Sequence, residues 1–426
     1  MNPVVTFLKL KLLYGYAWQL DLLVPTQLSF RKVLNGMKQI LRISHRLNAP
    51  QELILVRLLV TLGAASIVAT SSLYLKSLGM SDAAIGISTG VIMVINLIFA
   101  LTLPLFLYRF NLTKILFVTI IGFTITLAAF GSINQAMFAL LFYVLGRLLL
   151  SLFTSAYSIL FHDDSAGPND YRKNQALSGS LINFSWMIMP FFATLIIGQF
   201  SFTILYIMAA AICLCGAVVL KLQPVPEKMK NYSTKSKNIF KNIGYYFSQK
   251  KLRDVYIVSA GVDMWWVFIF VFVTLFLKEN GYSTAAIGAY LTLGQLPLFL
   301  FEFKTYKLVE KYRYKAPFIN SFSFMTLAMI VAAIFGLTMF TLGVFIFASL
   351  FLVFLEPARE MYLYEHISTK DEERVQPVYA TAELVGSIVV RLSIGLLLLW
   401  ANETAAYIVM AAIMATIALH NRTIKE

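Results

Sequence analysis

Charged residues are scarce in this chain. Asp, Glu, Lys and Arg make up 13% of its 426 residues, about half the share found in soluble globular domains. That scarcity excludes a water-solvated fold of this length, and a mean hydropathy of +0.76 says the same. Short segments of strict apolar and polar alternation are missing, which excludes a β-barrel. Only two cysteines occur, Cys213 and Cys215, two positions apart in one apolar run. That spacing turns them to different faces of a helix, so neither a disulfide nor a metal site is expected. No Walker A sequence, GxSxG elbow, HExxH pair or zinc-spaced Cys/His set is found. A nucleotide site, a metal, a cofactor and an enzymatic nucleophile are therefore all unexpected. Met1 to Gln51 has no small-residue cleavage site behind a single apolar core, so no cleavable signal peptide is read there.

What is present is apolar sequence in long runs. Hydrophobic residues make up 59% of the chain, and stretches of about 20 of them recur, the length a helix needs to cross a bilayer. Twelve spans are predicted, at about 53–75, 84–107, 115–133, 136–161, 176–199 and 201–221, then 253–277, 286–303, 316–336, 340–364, 378–399 and 402–420. The twelve-residue stretch from Leu75 to Gly86, LKSLGMSDAAIG, is written again from Leu277 to Gly288 as LKENGYSTAAIG, with eight positions identical at an offset of 202 residues. A repeat at half the chain length implies two equivalent halves, and a duplicated six-helix half is one known transporter plan. The fold expected is an all-α polytopic membrane protein of two pseudo-symmetric six-helix bundles, 52–222 and 252–421. A basic segment (1–51), a lysine-rich linker (223–251) and a short tail (422–426) complete it. Within the first segment Phe30 to Leu47 reads either as an amphipathic helix on an anionic surface or as a loose tail. Met37 is a possible start.

The formal charge of +14 raises the question of nucleic acid, and its distribution answers it. With the N-terminus in the cytosol, all but six of the 35 Lys and Arg fall on the cytoplasmic side. Lys76 and Lys278 fall outside, and Arg57, Arg147, Arg359 and Arg391 lie within spans. By the positive-inside rule both termini are cytoplasmic, and no nucleic acid is needed to explain the basicity. The four histidines, His45, His162, His366 and His420, sit at cytoplasmic ends, where solvated surface is the plain reading.

Three features carry a family resemblance over about residues 50–420. They are the doubled LxxxGxSxAAIG connection, the segment PLFLYRFNLTKIL (Pro104 to Leu116) with its counterpart KLVEKYRYKAP (Lys307 to Pro317), and Gly146-Arg147 in span four with Asp163-Asp164 at its exit. They resemble the major facilitator superfamily, the second as a worn form of its helix 2–3 loop motif GxLxDRxGRRxxL. Pro104 and Tyr108 depart from that motif, while Arg109 and Lys114 match it. The span-five antiporter motif survives only as Met189-Pro190. The resemblance implies a transporter whose spans one, four, seven and ten line a central cavity. It also implies that basic residues after the second helix of each half (Arg109, Lys311) meet acidic ones at the end of the fourth (Asp163, Glu365) as a cytoplasmic gate. The plainer reading of those four is loop charge.

An ionisable residue in hydrocarbon is costly unless paired or wet, so each one is a functional candidate. Arg147, Asp263, Arg391, Glu383 and Glu356 are the candidates for substrate or proton coupling, and Arg359 for the gate. The alternative is a static ion pair holding helices in register. Glu356, Arg359 and Glu360 share one helix face by spacing. Trp265 and Trp266 are candidate cavity aromatics, or else packing residues. The function expected is secondary active transport of a small organic solute by alternating access. Protons are the expected coupling ion and export of an amphiphile the favoured direction. Uptake of an anionic metabolite is the alternative within that class, and a lipid-modifying enzyme or a non-transporting sensor lies outside it. The expected setting is the inner or plasma membrane, as a monomer in contact with lipid.

Overall fold

A backbone in hydrocarbon has no water to bond with, so each crossing segment must satisfy its own amides as a helix. The computed structural model describes residues 49–107, 110–163, 168–222, 239–368 and 371–424. The basic segment up to residue 48, Met37 included, lies outside them. Twelve helices long and apolar enough to span a membrane are present among the described residues. They are α1 (Ala49–Ser77), α2 (Asp82–Leu107), α3 (Leu112–Ser132), α4 (Ala136–Asp163), α5 (Pro168–Gln199) and α6 (Phe202–Leu222). The second set is α7 (Lys250–Glu279), α8 (Thr284–Tyr312), α9 (Lys315–Phe335), α10 (Met339–Glu365), α11 (Arg374–Leu397) and α12 (Glu403–Asn421). Large apolar side chains such as Ile98, Val118, Phe138 and Ile334 point outward, the inverse of a water-soluble surface.

The repeated motif now has a physical reading, letter by letter. Gly79 and Gly281 adopt φ of 88° and 81°, the left-handed conformation that ends a helix with no Cβ penalty. The amide after each closes back onto the motif's first residue, Met80 to Leu75 at 3.2 Å and Tyr282 to Leu277 at 3.0 Å. Ser81 and Ser283 then cap α2 and α8, each hydroxyl accepting from the amide three residues on at 3.2 Å. The closing glycines, Gly86 and Gly288, lie where the halves touch. A Cβ on Gly86 would stand 2.7 Å from the Gly395 Cα of α11, and one on Gly288 would stand 2.8 Å from the Pro190 carbonyl of α5.

Helix pairing follows the same pattern in both halves. In the first, α3 packs on α4 and α6, and α1 on α5. In the second, α9 packs on α10 and α12, and α7 on α11. Between halves, α2 runs along α11 and α5 along α8. Helix α1 meets α7 through the stretch Phe268–Glu279, at the end of the molecule that carries the two motif turns. Residues 268–273, FIFVFV, wind as a π-helix, every one of them buried. Six aromatic and β-branched residues in a row crowd the preceding turn of an ordinary helix. The linker is more than a polar tether: Ile239–Ser248 is helical. It docks through Tyr246, fully buried, against Tyr256 of α7, and its Tyr245 ring lies 3.6 Å beneath the guanidinium of Arg374. Helix α7 begins already at Lys250.

The glycine crossings predict a stability effect. Gly86→Ala forces backbone apart and costs about 1–3 kcal/mol by overpacking, read as a lower melting temperature of the purified protein. Gly179→Ala, with nothing within 4 Å of its new Cβ, leaves that temperature unchanged or raised.

Candidate functional site

Helix packing brings four distant residues to one place. Gly386 of α11 lies so close to α7 that a Cβ there would run into the Ala260 carbonyl, and this seats α11 directly beside Asp263. On its other side, α11 rests on Gly90 of α2, whose missing side chain leaves room for Arg391 and Leu392. Arg391 is buried. Its Nη1 donates to the Thr89 hydroxyl at 2.8 Å, in the other half, and its Nε to Ser387 at 3.1 Å. Tyr143 of α4 lies close by. The guanidinium therefore ties α11 to α2 through neutral partners.

Among charged groups Asp263 feels Glu383 most strongly, then Arg391, Arg147 and Arg359. Arg147 and Arg391 also feel each other. Asp263 Oδ2 and Arg147 Nε are both buried with no hydrogen-bond partner among the described residues. A buried polar atom left unpaired costs about 1–3 kcal/mol, more when charged. The two tryptophans separate. Trp265 is fully buried and packs edge-on to Phe345 of α10, whereas Trp266 is half-buried against Phe270.

Towards the end of the molecule opposite the motif turns, Arg359 donates to Glu356 through Nε at 2.8 Å and Nη2 at 2.7 Å, and lies 3.6 Å from Glu383. The shared helix face expected for Glu356 and Arg359 is thus real, and Glu360 is exposed. All three members of the cluster belong to the second half, so Arg359 links α10 to α11 and, among the described residues, makes no ion pair between halves. Of the paired loop charges, Glu365 is exposed at the end of α10. Arg109 and the side chains of Asp163 and Lys311 lie outside the described residues. His420, read as surface, instead sits 3.1 Å from the buried carboxylate of Asp254.

The family model of the Major Facilitator Superfamily matches residues 53–390. The chain belongs to that superfamily. No curated protein matches it in sequence. Among solved structures, a point mutant of the nucleoside transporter NupG superposes with a TM-score of 0.73 at 13% identity, covering 88% of this chain and 99% of that one. A bacterial homologue of the human lysosomal transporter Spinster, inward-facing and unoccupied, gives 0.68 at 14% identity over 91% and 97%. A POT family transporter in complex with 5-aminolevulinic acid gives 0.70 at 11% over 87% and 94%. Likeness at these identities establishes the shared fold.

Arg147, Asp263 and Arg359 lie on the fourth, seventh and tenth helices, and Glu383 on the eleventh. No sequence motif reaches Thr89, Ser387 and Tyr143, the neutral neighbours of Arg391. Nothing in sequence marks Thr89 out, since it lies 302 residues away from Arg391. Ser387 had a signal, one helical turn before the arginine.

The Arg359 cluster predicts an asymmetry. Glu356→Gln removes the close partner of a buried guanidinium and costs about 1–3 kcal/mol. Glu383→Gln acts on a side chain that is 60% exposed and changes stability by less than about 1 kcal/mol. Thermal unfolding of the two variants side by side checks the order.

Proposed function

We propose that this protein moves a small organic anion across the membrane by alternating access, together with a proton carried by Asp263. One observation carries the reading: the unpaired buried donor of Arg147 and the unpaired buried acceptor of Asp263 stand beside Arg391 at the centre of the helix bundle. Arg147 and Arg391 offer two guanidinium groups beside Asp263, and guanidinium groups suit a carboxylate or phosphate oxygen pair.

Linkage gives the coupling its sign. An ionised Asp263 competes with the solute anion for the same arginines, so anion binding is tighter when Asp263 is protonated. By reciprocity the bound anion favours the proton. Proton and anion then travel together, and an acid exterior drives accumulation. This favours anion uptake over export of an amphiphile, whose aromatic lining loses Trp265 to packing against Phe345.

The halves rock about the two glycine crossings. Their main contacts near α1 and α7 lie at the motif-turn end, while Glu383, nearer the other end, is open to solvent. With both termini cytoplasmic, as the placement of Lys and Arg argues, this is the inward-open arrangement of a monomer in the cell membrane. No cofactor, metal or nucleic acid enters the scheme.

The test is flux in proteoliposomes with an acid exterior and a panel of monocarboxylates, dicarboxylates and organic phosphates. The wild type should take up at least one of them with measurable proton entry. Asp263→Asn should retain binding and lose the proton movement, and Arg147→Gln should lose binding by roughly tenfold or more. Proton-coupled uptake that survives in Asp263→Asn would sink the assignment.

A further inference from the structure

The two copies of the twelve-residue motif differ at four positions, and two of those differences add charge to the outer face. The first copy has Asp82 where the second has Thr284; the second has Glu279 where the first has Ser77. Both acids converge on a single cation. The Lys76 ammonium lies 2.6 Å from Asp82, in its own half, and 2.5 Å from Glu279, at the end of α7 in the other half. The repeat-related lysine, Lys278, is exposed.

A cleft of about 610 Å³ lies beside this bridge, walled by Asp82 and Ala83 from one half and by Glu279, Asn280, Asn402 and Glu403 from the other. Asn280 donates to Glu403 at 3.3 Å, which pins the end of α7 to the start of α12 and holds Glu279 in place.

We propose that Lys76 is a two-partner latch that holds the outer face shut. When the halves part, the bond to Glu279 breaks and the bond to Asp82 persists. The exposures fit these unequal roles. The Asp82 side chain is 9% exposed and Lys76 22%, so that pair stays together, whereas Glu279 at 54% is already hydrated and loses little on release. Opening therefore costs about what an exposed ion pair contributes and leaves no buried charge alone. The latch presupposes the alternating-access reading above.

Pulsed EPR on the full-length protein in nanodiscs tests it, with labels at Asn134→Cys and Met339→Cys on the outer turns of the two halves. Cys213 and Cys215 are buried and take no label. The wild type should show a major short and a minor long distance. Glu279→Gln should raise the long-to-short ratio roughly two- to fivefold, and adding it to Lys76→Gln should change nothing further, because both remove one pair. Asp82→Asn should leave the ratio unchanged or lower it. Two populations whose ratio ignores Glu279→Gln, or rises equally in Asp82→Asn, would overturn the latch alone. A single distance in every variant would overturn the latch and alternating access together.

Discussion

Two places where backbone meets backbone organise this molecule. Gly86 against Gly395 joins α2 to α11, and Gly288 against Pro190 and Thr194 joins α8 to α5. Between membrane helices there is no hydrophobic driving force, because lipid tails are as apolar as leucine. Close approach through small residues supplies the association instead. Both contacts are made by the same letter of the same repeated motif, so each half lays its second helix across the fifth helix of its partner. The seam between the halves takes its position from that arrangement.

The central charges follow from it. Helix α11 is pressed against α2 at Gly86 and Gly90 and against α7 at Gly386, so its Arg391 must emerge between them. Thr89 stands one turn from the first crossing and receives the guanidinium. An arginine held by hydroxyls alone keeps its whole charge available. Arg359, by contrast, has Glu356 at 2.7 Å and Glu383 at 3.6 Å, and its charge is spent inside one half. The two arginines look alike as isolated letters in apolar runs. Their partners differ: Arg359 meets carboxylates, whereas Arg391 donates to hydroxyls.

This distinction marks how far sequence reasoning reached. Helix number, two halves and the apolar exterior were all legible, because hydrocarbon imposes length and composition locally and the duplication repeats itself in letters. The Glu356–Arg359 contact was legible too, as two residues three apart on a helix. Glu383 as a further partner was not, and neither was Thr89, since contacts between helices depend on rotations about their axes that no local pattern encodes. Trp265 shows the same limit: its neighbour Trp266 has the same composition around it, yet a rotation of about 100° turns one to the core and leaves the other half-exposed. The linker hid its short helix because lysines dominate its composition and the docking residues Tyr245 and Tyr246 are few.

Departures from symmetry are where this chain has placed its chemistry. The repeat is strictest where geometry demands it, in the left-handed glycine, the capping serine and the crossing glycine. It is loosest at 77 and 82 and their mates 279 and 284, where no backbone requirement acts. A perfectly repeated motif would place two lysines at the outer seam with the same neighbours, and both would answer alike to the opening of the halves. One acid in each copy, at different positions, instead gives Lys76 a partner that stays and a partner that leaves. The same logic holds at the centre. Asp263 shifted back by 202 residues falls on Thr61, and Arg391 shifted likewise falls on Met189; neither carries charge. Asp263 and Arg391 thus have no charged counterparts in the first half, although the two halves are equivalent in backbone.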